Sequence, residues 1–118
     1  MEAVIYKEEA TMFKYLIIFS LLTPFIANAG SATGKVDGFV INEGGTFVSS
    51  DASTSSDYIE CNTSKRFYFY HASSYSNYFL SAIIAANHAG TILGFHGTGN
   101  CFGNSEVLRK VCTSNIPC

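Results

Sequence analysis

The sequence predicts one small, mostly β (α+β) domain of five short strands, with a single helix between the third and the fourth. Three observations carry that expectation. Short polar–apolar alternations bounded by Gly and Ser recur through residues 30–118, only residues 75–86 switch to a spacing of three and four, and four cysteines fall within the same stretch.

Taken in order, Gly30-Ser31-Ala32-Thr33-Gly34 is a small-residue lead-in, and Lys35-Val36-Asp37-Gly38-Phe39-Val40-Ile41-Asn42 alternates as a strand does. Glu43-Gly44-Gly45 reads as a turn and Thr46-Phe47-Val48-Ser49-Ser50 as its return strand, because β-branched and aromatic residues around a Gly-Gly pair signal a hairpin. Asp51 to Asp57 is a polar, serine-rich loop, and Tyr58-Ile59-Glu60-Cys61 a short extended piece. Arg66-Phe67-Tyr68-Phe69-Tyr70-His71 is the third strand. Phe67 and Phe69 face one side and Tyr68 and Tyr70 the other, with Phe inward and Tyr outward as the economical assignment, since a buried hydroxyl needs a partner.

Tyr75, Tyr78, Phe79, Ala82, Ile83 and Ala86 then mark one face of a helix, widened by Leu80 and Ile84. Ser73 or Ser74 suits its first turn as a cap, and Gly90 suits the left-handed residue that closes it. Thr91 to His96 reads as a strand, Gly97-Thr98-Gly99-Asn100 as a turn held by Cys101, and Glu106 to Val111 as a last strand pinned by Cys112. This order is that of an OB-fold-like, five-stranded Greek-key barrel, with a small α+β sandwich as the alternative.

Residues 1–29 differ in kind. One positive charge at Lys14 precedes a short apolar run from Tyr15 to Ile26 that ends in Ala27-Asn28-Ala29, the pattern of a secretory signal cut after Ala29. Roughly a dozen apolar residues fall short of the ~20 that span a bilayer, so no membrane anchor is expected. No cysteine follows the cut, which argues against lipid attachment there. Acidic residues in 1–11 suit a leader poorly, and the purine-rich codons of Lys7-Glu8-Glu9 would serve as a ribosome-binding sequence ahead of a start at Met12 instead of Met1. The expectation is therefore an exported chain, periplasmic or secreted, with residues 30–118 as its single domain.

A domain of this size has a marginal core and needs staples. Cys61, Cys101, Cys112 and Cys118 supply them in an oxidising compartment, where four thiols allow three pairings. Cys61–Cys101 with Cys112–Cys118 is favoured; the first closes a loop worth about 4 kcal/mol on the chain-entropy model and the second about 2 kcal/mol. A zinc site is the competing reading, and the absence of any C-x-x-C spacing speaks against it.

Charge and motif point away from several function classes. Residues 30–118 are close to neutral, and Lys65-Arg66 is the one basic pair near aromatics, too little for a nucleic-acid footprint. Asp37, Asp51, Asp57 and Glu60 read as solvated charge, His71, His88 and His96 are too scattered to form a metal site, and disulfide pairing would remove any cysteine nucleophile. Gly97 to Gly103 lacks the spacing of a phosphate-binding loop. No catalytic residue, metal or cofactor is expected, and the chain reads as non-enzymatic.

The aromatic strand Phe67-Tyr68-Phe69-Tyr70, the helix from Tyr75 to Ala89 running into Gly90-Thr91-Ile92, and the late Asn100-Cys101-Phe102-Gly103 together resemble the B (binding) subunits of AB-type bacterial toxins. The likeness is to the subtilase-cytotoxin and pertussis-like branch and, more broadly, to small exported bacterial OB-fold proteins. Residues 46–61 and the pair Cys112 and Cys118 depart from it, and no sugar-binding serine is carried over. The resemblance implies glycan or host-receptor binding, a homo-pentamer and a catalytic A subunit as partner.

Independently, sugars stack on Tyr or Phe while small polar groups satisfy their hydroxyls. Tyr68, Tyr70, Tyr75, Ser76 and Asn77, with the loop from Ser49 to Ser56, are the candidate binding residues. A monomeric periplasmic protein that binds another protein or an envelope complex is the alternative function, and a secreted nucleic-acid-binding module is a third.

Overall fold

Alternation along the first strand sets the architecture. The computed structural model describes residues 28–113 and Cys118; the rest of the expected leader, including the alternative start at Met12, lies outside the described residues. β1 (Ser31–Ile41) buries Ala32, Gly34 and Val36, and its register with β2 (Gly45–Ser50) slips between Val36 and Gly38. The slip inserts a residue and so changes which parity faces inward: Phe39 packs against the core beyond it, and Val40 points out.

The strands form one mixed sheet that closes on itself. β1 pairs antiparallel with β2, β2 with β4 (Phe67–Tyr70), β6 (Ser105–Thr113) with β5 (Ile92–Phe102), and β5 again with β1, while β4 and β6 run parallel. The sixth strand, β3 (Ser55–Asp57), pairs with residues 31–33 of β1 on the side that β2 occupies farther along. It therefore prolongs β2 past the loop at residues 51–54. This corrects the expectation of an unbroken polar loop from Asp51 to Asp57: serine-rich composition hid a strand whose role is backbone pairing with nothing buried.

The helix α1 (Ser76–Ala89) follows β4, packs on β1 and β6, and drops Ile83 and Ala86 into the interior. Phe67, Phe69, Phe95, Val48, Leu93 and Leu108 complete the core, with Phe67 and Phe95 stacked at 5.9 Å and Phe69 meeting Phe79 edge-on at 5.5 Å. Burial of each such ring contributes about 1.5–3 kcal/mol. Gly90 at φ 68° closes the helix as expected, and Thr91 donates to the Ala86 carbonyl at 3.0 Å.

The helix start differs from expectation. Tyr75, not Ser73 or Ser74, is the N-cap, and no side chain caps the helix; Ser73 Oγ instead accepts the Tyr75 N–H within the preceding turn. Ser76 is buried and its hydroxyl donates back to the His71 carbonyl at 3.0 Å. The buried stripe consequently runs through Ser76, Phe79, Leu80, Ile83 and Ala86, and leaves Tyr75, Tyr78 and Ile84 exposed.

A second correction concerns Gly97-Thr98-Gly99-Asn100. These residues lie inside β5 as a bulge, where the register with β6 slips between Gly97 and Cys101, and the hairpin turn falls at Gly103-Asn104. Glycine-rich runs mark bulges as readily as turns. Both favoured disulfides are present: Cys61–Cys101 with Cα atoms 6.2 Å apart and Cys112–Cys118 with Cα atoms 5.9 Å apart.

Candidate functional site

The outward side of β2 carries Gly45, Phe47 and Ser49 in a row, and β4 sets Tyr68 opposite Phe47 and Tyr70 opposite Gly45. Gly45 leaves room for the Tyr68 ring, onto which a Cβ would collide. Phe102, at the end of β5, lies parallel over Tyr68 at 4.4 Å, while Phe47 tilts against it at 4.7 Å and Tyr70 meets it edge-on at 4.8 Å. The outward Tyr68 is thus only 4% exposed, a correction to its expected exposure, because its neighbours cover it. Burial, and then the neighbouring Tyr70, push its hydroxyl above the usual tyrosine range. Tyr70 and Phe102 form the open edge of this platform at 43% and 44% exposure.

Beside the platform runs a groove of about 440 Å³ lined by Asp37, Ser49, Ser50, Asp51, Ala52, Ser56, Tyr58, Ser64, Lys65 and Arg66. Arg66 joins the two features: it lines the groove while its guanidinium sits 4.9 Å from the centre of the Phe47 ring.

The groove walls are held by backbone-directed hydrogen bonds. Asp51 Oδ1 accepts N–H bonds from Ser53 at 3.0 Å and Lys35 at 2.9 Å, and these, Ser53 first, hold its carboxyl below the usual carboxylate range. Asn62 Oδ1 accepts the Arg66 N–H at 3.1 Å, and Ser64 Oγ donates to the Asn104 carbonyl at 2.7 Å. Ala52 and Lys65, both on the wall, have φ of 53° and 57°, a left-handed backbone that costs a side-chain-bearing residue energy and concentrates at functional loops.

Chemically, the pairing offers flat ring faces beside hydroxyls, two carboxylates and two cations, a set suited to a polyhydroxylated ligand. Of the expected residues, Tyr68 and Tyr70 meet in the platform, and Ser49, Ser50 and Ser56 meet in the groove. Tyr75, Ser76 and Asn77 line neither: Tyr75 and Asn77 are exposed at the helix start, and the Ser76 hydroxyl is spent on His71. Phe47, Phe102, Asp37, Tyr58 and Arg66 were not among the candidate binding residues, although Asp37 was weighed as a solvated carboxylate and Arg66 as half of the basic pair Lys65-Arg66. The signal for Arg66 was its place directly ahead of the aromatic strand; Phe47 and Phe102 join only through folding.

The three histidines lie on or beside separate elements. His71 Nε2 lies 3.1 Å from Thr46 Oγ1, His88 is exposed in the last turn of α1, and His96 is half-buried beside Cys112 and Cys118, whose sulfurs are joined and offer no thiolate. Burial first, then Lys110 and Arg109, lower the pKa of His96. No described helix is long and apolar enough to cross a membrane. Compared with known proteins, the chain matches no family model, no curated protein and no solved structure.

Proposed function

We propose that the chain is an exported, non-enzymatic binding module whose groove and adjoining platform take a carbohydrate, in the manner of a toxin B subunit. The observation that carries this reading is Arg66, which lines a hydroxyl-rich groove while its guanidinium lies against an aromatic platform, so that ring stacking and hydroxyl recognition adjoin. Export is supported by the Ala27-Asn28-Ala29 motif and by two disulfides. The strand order supports an OB-fold reading: β1, β2, β4, β5 and β6 stand in for its five strands, with α1 between the third and fourth.

A glycan array probed with the oxidised, processed chain tests the function. Binding that Arg66→Ala weakens about tenfold or more, with little change in Tm, is the expected result, and a blank array overturns it. A second reading has its own observation: Val40 and Ile41 at the end of β1 are 52% and 50% exposed, and Val40 pairs with Phe47, which extends the platform as an apolar surface. That surface suits a protein partner or further copies of the chain. Mass measurement in solution separates the cases, since a toxin-like ring runs near five monomer masses and the periplasmic alternative as a monomer or with its partner.

A further inference from the structure

Glu106 is fully buried at the barrel end where β1 begins and is not among the residues that line the groove. Its Oε2 accepts the N–H of Gly30 at 3.0 Å and of Gly99, in the β5 bulge, at 2.9 Å, while Oε1 has no hydrogen-bond partner. A buried carboxyl with one oxygen idle is costly. The surroundings are nonetheless shaped for it, because a Cβ at Gly30 or Gly97 would run into the carboxyl. Gly30 is held from its other side as well, its carbonyl accepting the Gly97 N–H at 2.9 Å.

Gly30 is also the residue that follows Ala27-Asn28-Ala29. We propose that leader removal after Ala29 turns the Gly30 amide into an α-ammonium that pairs with buried Glu106, so that only the processed chain completes this end of the barrel. The inference rests on the export reading above. A signal endopeptidase adds water across the Ala29–Gly30 bond: the C–N bond breaks, Ala29 leaves as a carboxylate, and the Gly30 nitrogen takes up protons to become an ammonium. The amide offers Glu106 one neutral donor; the ammonium offers three donors and a positive charge, enough to serve the idle Oε1 as well. Glycine is required at the new terminus because a side chain there would collide with the very group it must meet.

The pair predicts its own pH dependence. An α-amine held by a carboxylate has a folded pKa above its ordinary value of about 7.7–8.0, so its stabilisation is complete below that value and is lost as pH rises through the raised one. The titratable groups nearby are His96 on β5, which feels Glu106, Lys110 and Arg109; Glu60, which shares a cavity with Gly99; and Asp57, whose carbonyl faces Gly30. His96 is held below its ordinary value and so titrates below this window.

The experiment exports the full precursor, confirms the mature terminus by mass, and compares it with a precursor bearing Ser-Gln inserted between Ala29 and Gly30. Each is made with and without Glu106→Gln. The chain beginning at Gly30 should melt about 10 °C or more above the extended chain at pH 7, and the gap should close toward pH 10 and in the Glu106→Gln pair. If Glu106→Gln does not fold, acylation of the α-amine of the unaltered processed chain decides instead, and should run about tenfold slower in the native protein than in denaturant. Equal Tm values, a gap that does not change with pH, or an equally reactive amine would overturn the proposal. An exported chain cut at another residue overturns it while sparing export; a chain never cut counts against the export reading itself.

Discussion

Two polar regions of this barrel solve opposite problems. At the end where β1 begins, a single carboxyl is withdrawn from water and both hydrogen bonds it accepts come from backbone, with glycines at 30 and 97 because a Cβ there would run into it. On the face of β2 and β4, side chains meet side chains: rings stack, a guanidinium sits against one of them, and serines and carboxylates line a surface groove. The contrast teaches where tolerance lies. Buried polarity wrapped by backbone admits almost no substitution, whereas a surface site loses ligand affinity before it loses the fold.

The strongest way to break the first region is Gly97→Val, which drives a side chain onto Glu106 and should cost about 4–5 kcal/mol in urea titration. A loss under 1 kcal/mol would mean that the carboxyl can move aside. Replacing Cys61 and Cys101 together with Ser should cost about 4 kcal/mol, because the bulge that wraps Glu106 is anchored by that bond and the open chain regains its loop entropy. On the second region, Phe102→Ala should uncover Tyr68 at a cost of about 1–2 kcal/mol while reducing the proposed glycan binding tenfold or more, which the array and a thermal melt read separately.

The smallest effects are in pH. The hydrogen bonds to Asp51 stabilise the fold above its unfolded pKa of about 3.9 and are lost as pH falls through the lower folded value, so Asp51→Asn should flatten the acid limb of the Tm profile. For His96, both states are neutral above about pH 6.5; below it the unfolded chain takes the proton first, and stability declines toward the depressed folded pKa. His96→Gln should remove that slope, and a slope that survives would assign it to another group.

Much of the fold was legible because it rests on local pattern. The spacing from Phe79 to Ala86 announced α1, Gly90 announced its end, and an even count of cysteines read as disulfides, whose favoured pairing is the one observed. The site was half legible: Tyr68 and Tyr70 lie in the platform and the serines in the groove, yet Tyr75, Ser76 and Asn77 do not join them. Periodicity grouped Tyr75 and Tyr78 on one face with Phe79 and Ile83 because it cannot set the rotation of a helix against a sheet; here the sheet took Ser76 and left both tyrosines exposed.

By itself, then, the chain's order of residues determined the presence of staples, its helix, its β-rich character and the alternation of its strands, all of which depend on neighbours a few positions apart or on composition. Tertiary structure alone decided that Tyr68 is covered, that Arg66 belongs to both groove and platform, that Gly97 to Asn100 is a bulge, and that Glu106 meets Gly30. Those outcomes depend on ring closure, which brings residues 76 positions apart to hydrogen-bonding distance, and short-range pattern carries no record of that distance.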